Sequence, residues 1–216
     1  KDVRVRQALR YAIDYDGLKN VVAGGYGEVL QTNILPGMIG YEAATGNFYK
    51  YDPAKAKQLL ADAGFPNGFE ITLISRDGAA GTIAYSKAMT FWQQNLAEIG
   101  VKAKITEMTG AVFWGQIGEE KMRGIGITGA GATVFDPDNP ATIRAVQESG
   151  LLGWDDVDPE AYKRAADLTK QGARTLDPDQ RAKIYAEISK LLVERSPYWT
   201  FIQVVEPVVY RKNISG

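Results

Sequence analysis

The sequence predicts an α/β fold, a mixed and mostly parallel sheet flanked by helices, and three stretches carry that prediction. The first is Tyr51 to Ser75, which spells a helix, its stop, a turn and a strand without a break. Asp52 can cap the first free amides, Pro53 suits the first turn, where its missing N–H costs nothing, and Gly64 can take the left-handed conformation that ends a helix. Ala56, Leu59, Leu60 and Ala63 fall at i, i+3, i+4 and i+7 and make one apolar stripe. Pro66, Asn67 and Gly68 turn the chain, and Phe69, Ile71 and Leu73 alternate with Glu70 and Thr72, the period of a strand with one buried face. The second stretch is a helix sharing Tyr85, Ala88, Met89, Trp92, Leu96 and Ile99 on one face, stopped by Gly100 and followed by Val101 to Glu107 with strand alternation. Strand, helix, strand with a long crossover predicts parallel pairing. The third repeats the pattern, a helix from about Val112 to Met122 and a strand from about Gly124.

The flanking segments follow the same rules. Val5, Ala8, Leu9, Ala12 and Ile13 make Asp2 to Ile13 an amphipathic helix, with Arg4, Arg6 and Arg10 at polar positions. Its abrupt start, without Met, predicts a piece of a longer protein cut at an interdomain crossing. Asp14 and Asp16 can cap a short helix through Val22, and Gly24 and Gly25 end it. Tyr26 to Lys50 reads as a long irregular wrap. In the last third, Asp158 and Pro159 start a helix with Tyr162, Ala165, Ala166, Thr169 and Ala173 on one face. Asp177 and Pro178 start another, with Ile184, Ile188 and Leu191 on its apolar side. Tyr198 to Val205 and Val208 to Lys212 read as strands broken at Pro207. The plan is one unit: 1–50 helical and extended wrap, 51–140 βαβ core, 141–216 helices and returning C-terminal strands.

Composition bounds the chemistry. At 216 residues the chain can bury roughly 70% of its unfolded surface. A formal charge of -1 gives no sign of a nucleic-acid partner, and no apolar run is long enough to span a bilayer. Without His the usual base of hydrolytic triads and the commonest zinc ligand are missing. Without Cys, thiol catalysis and disulfides are excluded. An enzyme would have to work with carboxylates, Lys, Tyr or Ser alone, and no cofactor and no metal are expected.

Gly124, Gly126 and Gly129 match the dinucleotide fingerprint G-x-G-x-x-G, but Lys121 to Arg123 precede it and Thr133 to Pro140 follow, where a strand and a helix are needed. Small residues at a close backbone approach is the better reading. The FDPDNP run with Asp136, Asp138 and Asn139 lacks the central Gly and distal Glu of a calcium loop, and its prolines fix a turn. The paired carboxylates Glu119–Glu120 and Asp155–Asp156 read as solvated. Arg76 lies just past a strand and before a helix, where open α/β sheets bind ligands, and its fork suits a carboxylate; the other reading is a surface arginine paired with Asp77. Trp114 and Phe113 could line a pocket or join the core, at least one of them the core.

Several ordered motifs add a resemblance. DVRVRQALRYAID at Asp2 to Asp14, YDPAKAKQLLADAGF at Tyr51 to Phe65, LAEIGVKAKI at Leu96 to Ile105, DPDNP at Asp136 to Pro140 and RSPYWTFIQ at Arg195 to Gln203 resemble the C-terminal lobe of family 5 solute-binding proteins, the peptide, nickel and oligosaccharide receptors of ABC importers. The resemblance implies one lobe of a periplasmic-binding-protein type II fold that closes with a second lobe over a small or peptide-like ligand. It implies no enzyme activity, ABC permease subunits as partners, and a periplasmic location, or a lipid anchor at the outer surface of a Gram-positive cell. The alternative is a nucleotide- or cofactor-binding α/β enzyme domain, supported only by the glycine run.

In dipeptide-binding members an Arg just after the first strand of this lobe holds the ligand carboxylate, and Arg76 sits there. Those members also carry a G-W-x-x-D segment whose Asp takes the ligand ammonium; here the run is Gly129 to Thr133, with Ala130 for the Trp and Thr133 for the Asp. A buried ammonium without a carboxylate carries a desolvation cost of several kcal/mol, more than a hydroxyl recovers. The expected ligand is therefore bulkier or differently charged, acidic and held by Arg76, with Thr133 making a neutral hydrogen bond. The candidate ligand-binding residues are Arg76, Trp114, Ala130, Thr133, Phe135 and Asp136.

Overall fold

The computed structural model describes residues 2–80, 83–118, 124–127, 135–138, 154–198 and 200–204. Helix α1 (Val3–Tyr11) starts where the Asp2 carboxylate accepts the Arg4 N–H, and α2 (Tyr15–Gly17) starts on Asp14 and runs into a π-helical turn, Leu18–Val22. The wrap that follows is less irregular than expected, containing β1 (Glu28–Val29) and α3 (Ala43–Gly46). Helix α4 (Pro53–Asp62) is capped by Asp52, which accepts the Lys55 N–H, and Gly64 beyond it has φ 90. Strand β2 (Glu70–Arg76) leads through a hairpin of β3 (Ala79–Ala80) and β4 (Ile83–Ala84) into α5 (Tyr85–Glu98), β5 (Lys102–Met108), α6 (Gly110–Gly118) and β6 (Ile125–Gly126). The later helices are α7 (Trp154–Val157), α8 (Pro159–Arg174) and α9 (Pro178–Arg195), with Asp158 and Asp177 capping the last two. Strand β7 (Ile202–Gln203) pairs antiparallel with β1, and among the described residues of the predicted strand from Tyr198 to Val205 only these two are strand. The strand predicted from Val208 lies outside the described residues.

The described main sheet is parallel, in the order β5-β2-β6. Glu70 stands opposite Lys102 and Arg76 opposite Met108, while Leu73 stands opposite Ile125. The three strands therefore finish toward one edge. Because β2 is central, both of its faces are covered, and Leu73, Ile74 and Ser75 are all buried; the expected single buried face is a property of edge strands. On the edge strand β5 the alternation holds, with Ala103 and Ile105 packed on the core and Lys102 and Lys104 exposed. The first glycine of the run, Gly124, has φ 141, and a Cβ there would lie 2.6 Å from the Thr72 carbonyl oxygen; Gly129 lies outside the described residues. Gly124 brings the third strand against β2.

Two apolar clusters form the interior. One gathers α1, α4, α5 and the sheet around Leu9, Leu60, Leu73, Trp92 and Leu96; the other gathers Ile34, Trp154, Leu168, Tyr185 and Ile188. The buried line of α8 runs through Ala161, Ala165, Leu168, Thr169 and Gly172, rotated from the predicted face toward α9, whose Tyr185 ring lies against Gly172. Arg10, read as a polar surface position, is fully buried. Its guanidinium sits 4.2 Å from the centre of the Tyr49 ring and donates to the carbonyls of Val193 and Gln31 at 3.4 and 3.3 Å. With Arg6 donating to the Arg195 carbonyl at 2.8 Å and Gln7 to that of Glu194 at 2.9 Å, α1 satisfies consecutive carbonyls that α9 leaves open at its C-terminal end.

Candidate ligand-binding edge

Arg76 is the last residue of β2 and so stands at the edge where the parallel strands finish. Tyr85, the first residue of α5, is buried, and the hairpin folds it back onto the arginine. Its hydroxyl accepts from Arg76 Nη2 at 3.0 Å, and the guanidinium carbon lies 4.5 Å from the ring centre. Arg76 Nη1 donates to the main-chain carbonyl of Asp77 at 3.3 Å, and Nε is buried without a hydrogen-bond partner. The Asp77 carboxylate goes elsewhere: Oδ1 accepts the N–H of Gly110, the first residue of α6, at 2.6 Å. The predicted surface pair of Arg76 with Asp77 is therefore absent, and among the described residues no carboxylate pairs with Arg76.

Helix α6 leaves this point with Phe113 buried and Trp114 exposed, their rings edge to face at 5.3 Å. One aromatic joins the interior and the other stays accessible, a turn along the helix whose first residue lies against Arg76. The edge thus presents a fixed cation beside apolar surface that includes Val112. Such a combination suits an organic anion with a hydrophobic portion.

Phe135 and Asp136 have other neighbours. The exposed Phe135 ring lies over Gly37, where a Cβ would come within 3.4 Å of it. The Asp136 carboxylate is gripped by both Arg181 amino groups at 2.8 and 2.9 Å and also accepts the Asp138 N–H at 2.8 Å. The Arg181 hydrogen bonds hold its carboxyl below the usual aspartate value. Arg181 in turn donates to the Gly172 carbonyl and lies 5.0 Å from the Tyr185 ring centre, so Asp136 is tied to α8 and α9. Ala130 and Thr133 lie outside the described residues.

The structure therefore brings together Arg76 and the helix that carries Trp114, and gives Asp136 a structural partner. Sequence reasoning did not single out Tyr85, Gly110 or Arg181. Tyr85 was legible only as a core position, and nothing local marks Arg181 as the partner of an aspartate 45 residues away.

Comparison with known proteins bears on the whole arrangement. A model described as bacterial extracellular solute-binding proteins, family 5 Middle, matches residues 1–145. The glutathione-binding protein GsiB of Salmonella paratyphi A is 31% identical over 226 residues, covering 99% of this chain and 41% of that protein. HbpA2 from Haemophilus parasuis superposes with a TM-score of 0.81 at 27% identity, over 94% of this chain and 39% of the other. A dipeptide binding protein from Pseudoalteromonas sp. SM9913, solved in complex with Met-Leu, gives a TM-score of 0.81 at 25% identity over 94% of this chain and 40% of its own. The chain spans about two fifths of the length of these relatives. Among the described residues no helix is long and apolar enough to cross a membrane. With the family model covering most of its length and its parallel sheet flanked by helices as in the solved relatives, the chain belongs to the family 5 bacterial extracellular solute-binding proteins.

Proposed function

We propose that this chain is one ligand-binding lobe of the solute-binding component of an ABC importer. The complete protein closes over a small acidic, peptide-like solute outside the cytoplasm and delivers it to membrane permease subunits without chemical change. One observation carries the reading: Arg76, at the edge where the strands of the sheet finish, is held by Tyr85 and has no carboxylate partner among the described residues. An anion brought by a ligand would complete it. The relatives named for glutathione and for a dipeptide complex point to ligands that carry such a group. With Ala130 and Thr133 where dipeptide receptors are expected to hold a Trp and an Asp, the ligand's amine contributes little.

Isothermal titration of the full-length protein with glutathione, Met-Leu and N-acetyl-Met-Leu tests this. Arg76→Ala should weaken binding of the acidic probes by about thirtyfold or more, the cost of leaving a desolvated charge without its partner. Acetylating the amine should change affinity by less than about threefold, under 1 kcal/mol. Unchanged binding in Arg76→Ala would remove the anion-holding role.

A further inference from the structure

Resting on that reading of Arg76, we infer that Asp77 is a positioning residue whose capture by the first amide of α6 keeps the neighbouring arginine free for the ligand. An aspartate directly after an arginine is its nearest available counter-ion, and a pair between them would neutralise the edge. The structure diverts it at both ends. The Asp77 N–H donates to the Met108 carbonyl at the end of β5 at 3.0 Å, and its carboxylate accepts from Gly110 at 2.6 Å. Gly110 N–H is among the helix amides that have no intrahelical acceptor, and the helix dipole favours a negative group there. Asp77 meets Arg76 only through its neutral carbonyl.

Glycine at position 110 is part of the device. A Cβ there would lie 3.2 Å from Asp77 Oδ1 and 3.6 Å from Arg76 Nη1, so a side chain would crowd both groups. The result, among the described residues, is a guanidinium at 76 without a carboxylate partner and a carboxylate at 77 that is already satisfied. Such an edge discriminates for a carboxylate and against the corresponding amide.

The test uses the full-length protein, titrated with Met-Leu and with Met-Leu amide. Asp77→Glu lengthens the side chain so that its carboxylate no longer meets the Gly110 N–H and can reach Arg76, while position 110 stays without a side chain. It should weaken Met-Leu binding about threefold to fivefold, the strength of a competing exposed ion pair, and leave the amide almost unaffected. Asp77→Gln, of the same length but uncharged, should bind Met-Leu as tightly as wild type. An equal loss in Asp77→Gln, or no loss in Asp77→Glu, would overturn the role of Asp77. If Arg76→Ala also binds Met-Leu as wild type does, or if the wild-type protein binds no acidic probe, the reading of Arg76 itself falls. Loss in Arg76→Ala with no response to Asp77→Glu removes only the present inference.

Discussion

Single residues in this protein are most constrained where main chain meets main chain. Gly68 has φ 73, and a Cβ on it would come within 2.0 Å of the Gly100 carbonyl oxygen. The turn before β2 is therefore locked against the turn after α5, and both β2 and β5 start from that contact. Gly68→Ala should destabilise the chain by roughly 2–4 kcal/mol, since relief requires one of two strands to shift; urea unfolding measures it. A loss below about 0.5 kcal/mol, the usual size of a surface change, would show that the turn yields freely. At this scale the sequence was readable wherever the signal is local. Asp52, Pro53 and Gly64 do what their chemistry predicts because caps and turns depend on residues within four positions. The burial of Arg10 and the pairing of Asp136 with Arg181 were not legible because the partners, Tyr49 and Val193 for one and Arg181 for the other, lie far along the chain. Nothing within a helical turn of Arg10 predicts that it will be buried over an aromatic ring.

Between elements, polar ties supplement the apolar faces, and Asp158 is the clearest of them. It caps α8 and accepts from Arg195 Nε, at the last residue of α9, at 2.6 Å. Burial pushes its carboxyl up, but the hydrogen bond and charge of Arg195 outweigh that, and the group lies below its ordinary value of 3.8. Since the folded form binds the proton more weakly than the unfolded form, the stabilisation is complete above pH 3.8 and disappears as pH falls below it through the depressed value. Asp158→Asn keeps a good capping side chain and removes the charge. The variant should therefore lose less Tm than wild type between pH 5 and pH 2.5, read by circular dichroism on both; equal losses would sink the assignment. Element type was legible in α4, β2, α5 and β5, because period and stop signals agree there, whereas the β3–β4 hairpin fell in a stretch read as a loop. Helix α6 starts two residues before the predicted Val112: its opening amide is held by Asp77, 33 residues earlier, while Thr109 accepts the Val112 N–H.

Across the whole molecule, α9 joins the two apolar clusters: Leu192 belongs to one and its neighbour Val193 to the other. Together with the bonds from Arg6, Gln7 and Arg10 to its final carbonyls, this ties the two clusters to one another. Native-state hydrogen exchange should give the slowest amides of α5 and α8 the same opening free energy within about 1 kcal/mol, as for one cooperative unit. Earlier release of α8 and α9 would instead show two independent bodies. The sheet and its direction were visible in the sequence, whereas this union of two interiors was not, since it depends on contacts between opposite ends of the chain. That separation also has a consequence during synthesis. Arg4 can find the Asp62 carbonyl once a span of 58 residues exists, but Arg6 must wait for a partner 189 residues later. Until α9 emerges from the ribosome, the carbonyls that α1 satisfies through Arg6, Gln7 and Arg10 do not yet exist, and a factor that delays folding has that whole interval in which to act.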